Sequence, residues 1–288
     1  MAPMAINWTI NPEILHFGPI HLRYYGMLFI TGFILGYAIF MWFYRREKLP
    51  LTLLDPLLYI LLGCTLVGAR LGHVLFYEPE YYLANPWKIF VVWEGGLASH
   101  GGAIAIVFGI WWYARRYGKK YNFDFLWLMD RVGITVAFAG MFIRLGNLMN
   151  SEIFGGPTTL PWGFRFFSSR EWQLYYGPKI FPPEGLACHP TQLYEALSYM
   201  MLGFILIALY KFALPKLKRG LLFGLFLTGL FGARFCIEFI KLPQVEFEQS
   251  MRLNMGQILS IPFILVGIFL IIRSFYISTP AQREEIVK

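Results

Sequence analysis

The sequence predicts an all-α, polytopic integral membrane protein of about seven transmembrane helices, on three observations. The chain is 57% hydrophobic and only 15% charged, whereas soluble domains carry roughly 25% charge. Its apolar residues come in blocks of about twenty, the length that crosses a bilayer as helix, rather than in amphipathic stripes. Its basic residues gather in alternate connections between those blocks, which gives the blocks an orientation.

The segment from Met1 to Leu22 contains Asn7, Pro12 and Pro19 and has no basic region followed by an apolar run. It does not read as a cleavable signal peptide. Spans are expected at about Tyr24 to Tyr44, Leu53 to Tyr77, Leu97 to Tyr113, Phe123 to Ile143, Thr191 to Phe212, Leu221 to Ile240 and Met255 to Ile272. The third is short, and its start beside Gly95, Gly96, Gly101 and Gly102 suggests a re-entrant or loop-like entry rather than a plain helix. The connections after the first, third and fifth spans carry Arg45, Arg46 and Lys48, then Arg115, Arg116, Lys119 and Lys120, then Lys211, Lys216, Lys218 and Arg219. By the positive-inside rule these face the cytoplasm, which with Arg273, Arg283 and Lys288 puts the N-terminus outside and the C-terminus in the cytoplasm. The stretch from about 145 to 190 holds Gly155, Gly156, Pro157, Pro161, Pro182 and Pro183. It reads as a turn-rich extracytoplasmic head of a single membrane-embedded domain spanning 1–288.

Composition also excludes. The net charge of +8 is spread over short clusters, with no basic stripe for nucleic acid, so the membrane surface is the expected partner. Cys64, Cys188 and Cys236 are widely spaced and form no CxxC pair, so neither a disulfide framework nor a zinc site is expected. No metal or cofactor is called for. Gly32 with Gly36, Gly68 with Gly72 and Gly220 with Gly224 suit close helix packing. No internal repeat points to a secondary transporter.

Arg70, Asp130, Arg131, Arg144, Arg234 and Glu238 fall within or at the edges of the spans. A charge at the centre of a span costs roughly 3 kcal/mol on insertion scales, so each needs a partner or a wet cavity. Arg70, Arg144 and Arg234 fall toward the outer ends of the second, fourth and sixth spans, where one outer-leaflet cavity holding an anion would satisfy all three. Arg234 and Glu238 are four apart and share a helical face, so a plain ion pair accounts for them equally well. Arg144 opens a string in which Asn147, Asn150 and Glu152 follow as the helix leaves the membrane, a set able to bind phosphate through guanidinium forks and amide donors. His100, between Ser99 and Gly101, is either a packing histidine or a proton acceptor at the outer surface. His189, Gln192 and Glu195 open the fifth span with Pro190 beside them, as a cap and interfacial anchor or as part of a site.

Taken together, RLGNLMNSEIFGG, GGLASHGG, HPTQLYE, GARLGHVLFY and RFCIEF resemble the phosphatidylglycerol:prolipoprotein diacylglyceryl transferase family, from LRYYG near residue 22 to NMGQ before the seventh span. The resemblance implies an enzyme of the bacterial inner membrane whose active site faces the extracytoplasmic leaflet. It would move the diacylglyceryl group of phosphatidylglycerol to the thiol of a prolipoprotein's lipobox cysteine and release glycerol phosphate, the first step of lipoprotein maturation. His100 would be the base that raises the thiolate fraction, and Arg144 and Arg234 would stabilise the departing phosphate. Asn147, Glu152 and Glu238 would hold the arginines or the headgroup, while Tyr25 and Gly155 match further family positions. Arg70, Asn150, His189, Gln192 and Glu195 complete the expected substrate-binding set. His73 and Leu230 depart from the family pattern, and GMFIR at 140 to 144 matches only from the arginine onward. A lipid-binding or transporting protein would use the same arginines without breaking a bond. An acyltransferase is disfavoured, since no His-x4-Asp pair is found.

Overall fold

The computed structural model describes residues 5–18, 20–92, 95–166, 186–213, 217–242, 248 and 251–276. Three short strands come first: β1 (Ile6–Trp8), β2 (Glu13–Phe17) and β3 (Ile20–Arg23). Helices α1 (Tyr24–Arg46), α2 (Leu54–Phe76), the six-residue α3 (Pro79–Ala84), α4 (Ser99–Tyr121) and α5 (Phe125–Met149) follow. After strand β4 (Phe164–Phe166) come α6 (Thr191–Ala213), α7 (Leu221–Ile237) and α8 (Met255–Tyr276). Among the described residues, six helical stretches are long and apolar enough to cross a membrane. α4 is the long helix outside that set, because Arg115, Arg116, Lys119 and Lys120 end its apolar part at Ala114.

Large apolar side chains point outward from these helices, with Ile34, Ile104 and Leu265 all more than 60% exposed. In water such faces would aggregate; in a bilayer they meet acyl chains. Packing between helices then rests on small residues and polar contacts rather than on hydrophobic collapse.

The chain divides into two compact units, one of Tyr37–Arg131 and one of Met1–Gly36 with Val132–Lys288. In the first, α2 and α4 touch backbone to backbone. A Cβ on Gly72 would lie 2.7 Å from Gly101 Cα, and one on Gly68 would lie 2.6 Å from Gly101 O. The same unit buries the one carboxylate–guanidinium pair that explains Arg131. Its Nε and Nη2 donate to Glu47 at 2.6 to 3.0 Å while the guanidinium lies 3.9 Å over the Trp127 ring. In the second unit, Gly32 packs on Ala139 and Gly224 on the Gly267 carbonyl. There β1 pairs with β4 in parallel, β2 with β3 antiparallel, and Trp8 Nε1 donates to Leu148 O at 3.0 Å.

Two expectations need correction. α4 is a continuous helix that runs to Tyr121 and not Tyr113, since of Gly95, Gly96, Gly101 and Gly102 the first two alone take positive φ and both precede it. α5 continues to Met149, six residues past its expected end, so Asn147 stands with Arg144 on its last two turns and not in a head segment. Pro182 and Pro183 lie outside the described residues.

The backbone contact at Gly72 makes Gly72→Leu a test of this packing. It should lower stability by about 1–3 kcal/mol or more, because a side chain there has no space to relax into. The thermal unfolding midpoint in detergent is the readout, with Ile104→Leu, at an exposed position on α4, expected to leave it unchanged.

Candidate active site

In the unit that contains α6, α7 and α8, polar groups concentrate where α5 ends, α6 begins and α7 ends. Arg144 Nε lies 3.1 Å from Glu195 Oε2, and its Nη1 donates to Asn147 Oδ1 at 3.3 Å. The Nε contact is unaligned, and Glu195 Oε2 accepts no well-formed hydrogen bond. Charge rather than directionality holds this pair. Tyr199 reaches the same place from one turn further along α6, donating to Glu195 Oε1 at 3.3 Å and meeting Arg144. Gly140, one turn before Arg144, makes room for it: a Cβ there would lie 3.1 Å from the Tyr199 ring.

Glu195 Oε1 also accepts from Lys241 Nζ at 3.1 Å, and Lys241 Nζ donates to Glu238 Oε2 at 3.0 Å. Both side chains of the Lys241–Glu195 pair are at most 1% exposed. The plain pairing of Arg234 with Glu238 is therefore overturned, because α7 tightens into a 3₁₀ turn at Glu238–Ile240 and the carboxylate meets Lys241 instead. Arg234 makes no ion pair or hydrogen bond among the described residues, and its charge acts on the Tyr199 hydroxyl. Glu238 is closed in from behind by α8, where a Cβ on Gly256 would touch its carboxylate at 2.5 Å and Asn254 Nδ2 donates to its carbonyl at 3.2 Å. Lys241 and Tyr199 escaped the sequence reading. The usable signal for Lys241 was a cation three residues beyond Glu238 at the edge of an apolar block.

Glu152 gathers the remaining polar residues. Its Oε1 accepts from Asn147 Nδ2 at 2.7 Å and Asn150 Nδ2 at 3.2 Å, and its carbonyl accepts from Gln192 Nε2 at 2.6 Å. Burial pushes its carboxyl above the ordinary range, with the Asn147 and Asn150 amides and the Arg144 charge pulling the other way. Tyr25 packs edge-close on Gly146, where a Cβ would lie 2.7 Å from its ring. His189 Nδ1 lies 3.3 Å from the Tyr194 hydroxyl, which also accepts from Trp162 Nε1 at 2.9 Å. Gly155 sits where a Cβ would come within 2.6 Å of Ile240 O and 2.8 Å of His189 and Thr191. It lets the segment after α5 bridge to Lys241. Cys188 is fully buried beside this segment, its thiol pushed up to about 11 by burial.

Arg70 and His100 belong to the other unit. All five N–H groups of Arg70 are taken up by the carbonyls of Lys88, Ile89, Val91, Gly95 and Gly96 at 2.5 to 3.2 Å, and Tyr82 stacks 4.9 Å away. Contact with an anion would require one of those bonds to be given up. His100, the second residue of α4, is exposed and lines a cavity of about 400 Å³ with Ser99, His73 and Tyr77. His73 stacks on Tyr77 and lies 3.8 Å from Glu78.

The family profile described as prolipoprotein diacylglyceryl transferase matches residues 12–273. The chain is 48% identical over 279 residues to the phosphatidylglycerol–prolipoprotein diacylglyceryl transferase of Porphyromonas gingivalis, covering 94% of this chain and 95% of that one. It is 47% identical over 268 residues to the protein of the same name from Tolumonas auensis, covering 93% and 96%. With that of Chloroherpeton thalassium it shares 39% identity over 270 residues, covering 93% and 94%.

Gly155→Ala should displace the Lys241 bridge by overpacking, which costs about 1–3 kcal/mol in a tight site. Activity is expected to fall at least tenfold while the fold persists, checked by turnover against the thermal midpoint of the same sample.

Proposed function

The chain belongs to the prolipoprotein diacylglyceryl transferase family, and from that membership we propose how its own residues carry out the transfer. The protein is a multi-pass membrane transferase that moves the diacylglyceryl group of phosphatidylglycerol to a prolipoprotein, the first step of lipoprotein maturation. The acceptor is the thiol of the lipobox cysteine in the signal peptide. The site faces the extracytoplasmic leaflet of the bacterial inner membrane, with α4 crossing as the seventh span, the N-terminus outside, the C-terminus inside, and the segment at about 145–190 as a small head on one membrane-embedded domain.

His100 takes the thiol proton. A free cysteine has a pKa of about 8.5, so a base raises the small thiolate fraction present at neutral pH. The thiolate sulfur attacks the glyceryl carbon that carries the phosphate, a carbon–sulfur bond forms, and the carbon–oxygen bond to phosphate breaks. The phosphodiester leaves as glycerol phosphate, a monoester with one more negative charge. Groups that meet that added charge stabilise the transition state more than the bound lipid. Arg144 and Arg234 have this role, because phosphate oxygens match the guanidinium fork. Tyr25, Asn147, Asn150, Glu152, Gln192 and Glu195 orient Arg144 or the headgroup. Glu238 and His189 hold the walls, and Arg70 keeps the loop before α4 in shape.

The observation that carries this reading is one end of one unit where a largely enclosed guanidinium, Arg144, is aimed by a carboxylate while a second, Arg234, has no anionic partner among the described residues. A spare cation at membrane depth is costly unless an anion is delivered to it.

The test is thioether formation on a lipobox peptide, with phosphatidylglycerol in detergent micelles. Arg144→Ala and Arg234→Ala should each lower kcat/KM by about 10²-fold or more, the usual scale for losing a group that meets developing charge. His100→Asn should lower kcat while leaving KM for the lipid within about threefold. Parent-like rates in both arginine variants would overturn the assignment. A collapse of lipid binding in His100→Asn with the rate per bound lipid kept would make His100 a ligand and not a base.

A further inference from the structure

Lys241 was not among the residues expected from the sequence, yet it is the most deeply buried cation at the site. Its ammonium touches two carboxylates, Glu195 and Glu238, at 3.1 and 3.0 Å, and nothing about its backbone position requires a charge. A buried ion pair of this kind is weak evidence for stability, since apolar residues of similar volume serve as well. The role has to be sought in what the pair does to its neighbours.

Glu195 is shared. One oxygen faces Lys241, and the other faces Arg144 Nε across 3.1 Å without an aligned hydrogen bond. A carboxylate held only by Arg144 and the long 3.3 Å contact to Tyr199 would be free to turn. Lys241, anchored through the Gly155 bridge and held by Glu238, pins one oxygen and so aims the other. Charge gives the second effect. Arg144, Arg234 and Lys241 balance Glu152, Glu195 and Glu238 at this end of the unit. Without Lys241 the carboxylates would be in excess by one and would repel a phosphate.

We propose that Lys241 is a positioning residue for the transfer: it locks Glu195 so that Arg144 is presented to the lipid phosphate, and it neutralises the second carboxylate so that the site stays receptive to an anion. The inference rests on the reading of Arg144 as a phosphate-binding residue.

The full-length protein in detergent with phosphatidylglycerol and a lipobox peptide tests it. Lys241→Met should lower kcat/KM by about 30-fold or more, much of it as a raised KM for the lipid, and Lys241→Arg should stay within about tenfold of the parent. The deciding variant is Lys241→Met with Glu238→Gln, which restores the charge balance without restoring the lysine. It should recover at least tenfold over Lys241→Met, a gain that lost packing does not produce. A double variant no better than a folded Lys241→Met overturns the proposal. So does a Lys241→Met variant within threefold of the parent while Arg144→Ala is inactive, an outcome that leaves the reading of Arg144 standing. An active Arg144→Ala removes that reading itself. If Lys241→Met shows no thermal transition, the double variant alone decides, and must reach a tenth of the parent rate.

Discussion

A single carboxylate, that of Glu195, has no accessible surface and meets two cations on opposite oxygens. At this depth an ionised carboxylate alone is prohibitive, and removing one partner of a buried pair typically costs about 3–5 kcal/mol. The surrounding structure follows from that constraint. α5 brings Arg144, the turn after α7 brings Lys241, α6 brings the carboxylate, and Gly140 and Gly155 thin the backbone so that all three approach. The polar end of the unit is thus the meeting point of elements far apart in sequence, and it holds together only when every charge has arrived.

The same arrangement suits the chemistry of the family. A phosphodiester that gains a negative charge as it leaves is best met by donors already oriented, since reorganising them during the step would add to the barrier. Arg144 is oriented by Asn147, Tyr199 and Glu195. Arg234 carries no such restraint among the described residues. Under the proposed mechanism, rigidity at Arg144 would serve positioning and freedom at Arg234 would serve release.

The spans were legible because apolar block length is a strong signal in a bilayer, and five of the seven stretches lie within a few residues of their observed ends, α4 and α5 running on further. α5 was cut short because Arg144, Asn147 and the glycine between them look like the end of a helix, when buried partners in fact sustain two more turns. The arginines were legible as anomalies, and the family strings supplied their anion. Of the alternatives open for Glu238, the plain ion pair with Arg234 does not form, since helical spacing assumes that α7 stays helical through Glu238. Arg70 shows the opposite limit: its cost in the membrane was visible, but five carbonyls of a loop that folds back over it are not written in any spacing. Tyr199 was missed because tertiary contact alone gives it meaning, while Lys241 left only the faint signal of a cation at the edge of an apolar block.

The buried Cys188 bears on a hazard that every thiol-alkylating enzyme faces, which is to become its own acceptor. Its residue bridges to Pro157, two positions beyond Gly155, and to Phe164 of β4, beside the polar cluster where the lipid phosphate would bind. With the thiol pushed up to about 11, only about one molecule in ten thousand would carry a thiolate there at neutral pH, and no surface admits a lipid to it. Burial takes this sulfur out of reach of a lipid donor, whereas Cys236, two residues beyond Arg234, stays exposed, so the protection belongs to Cys188 and not to every thiol of the chain.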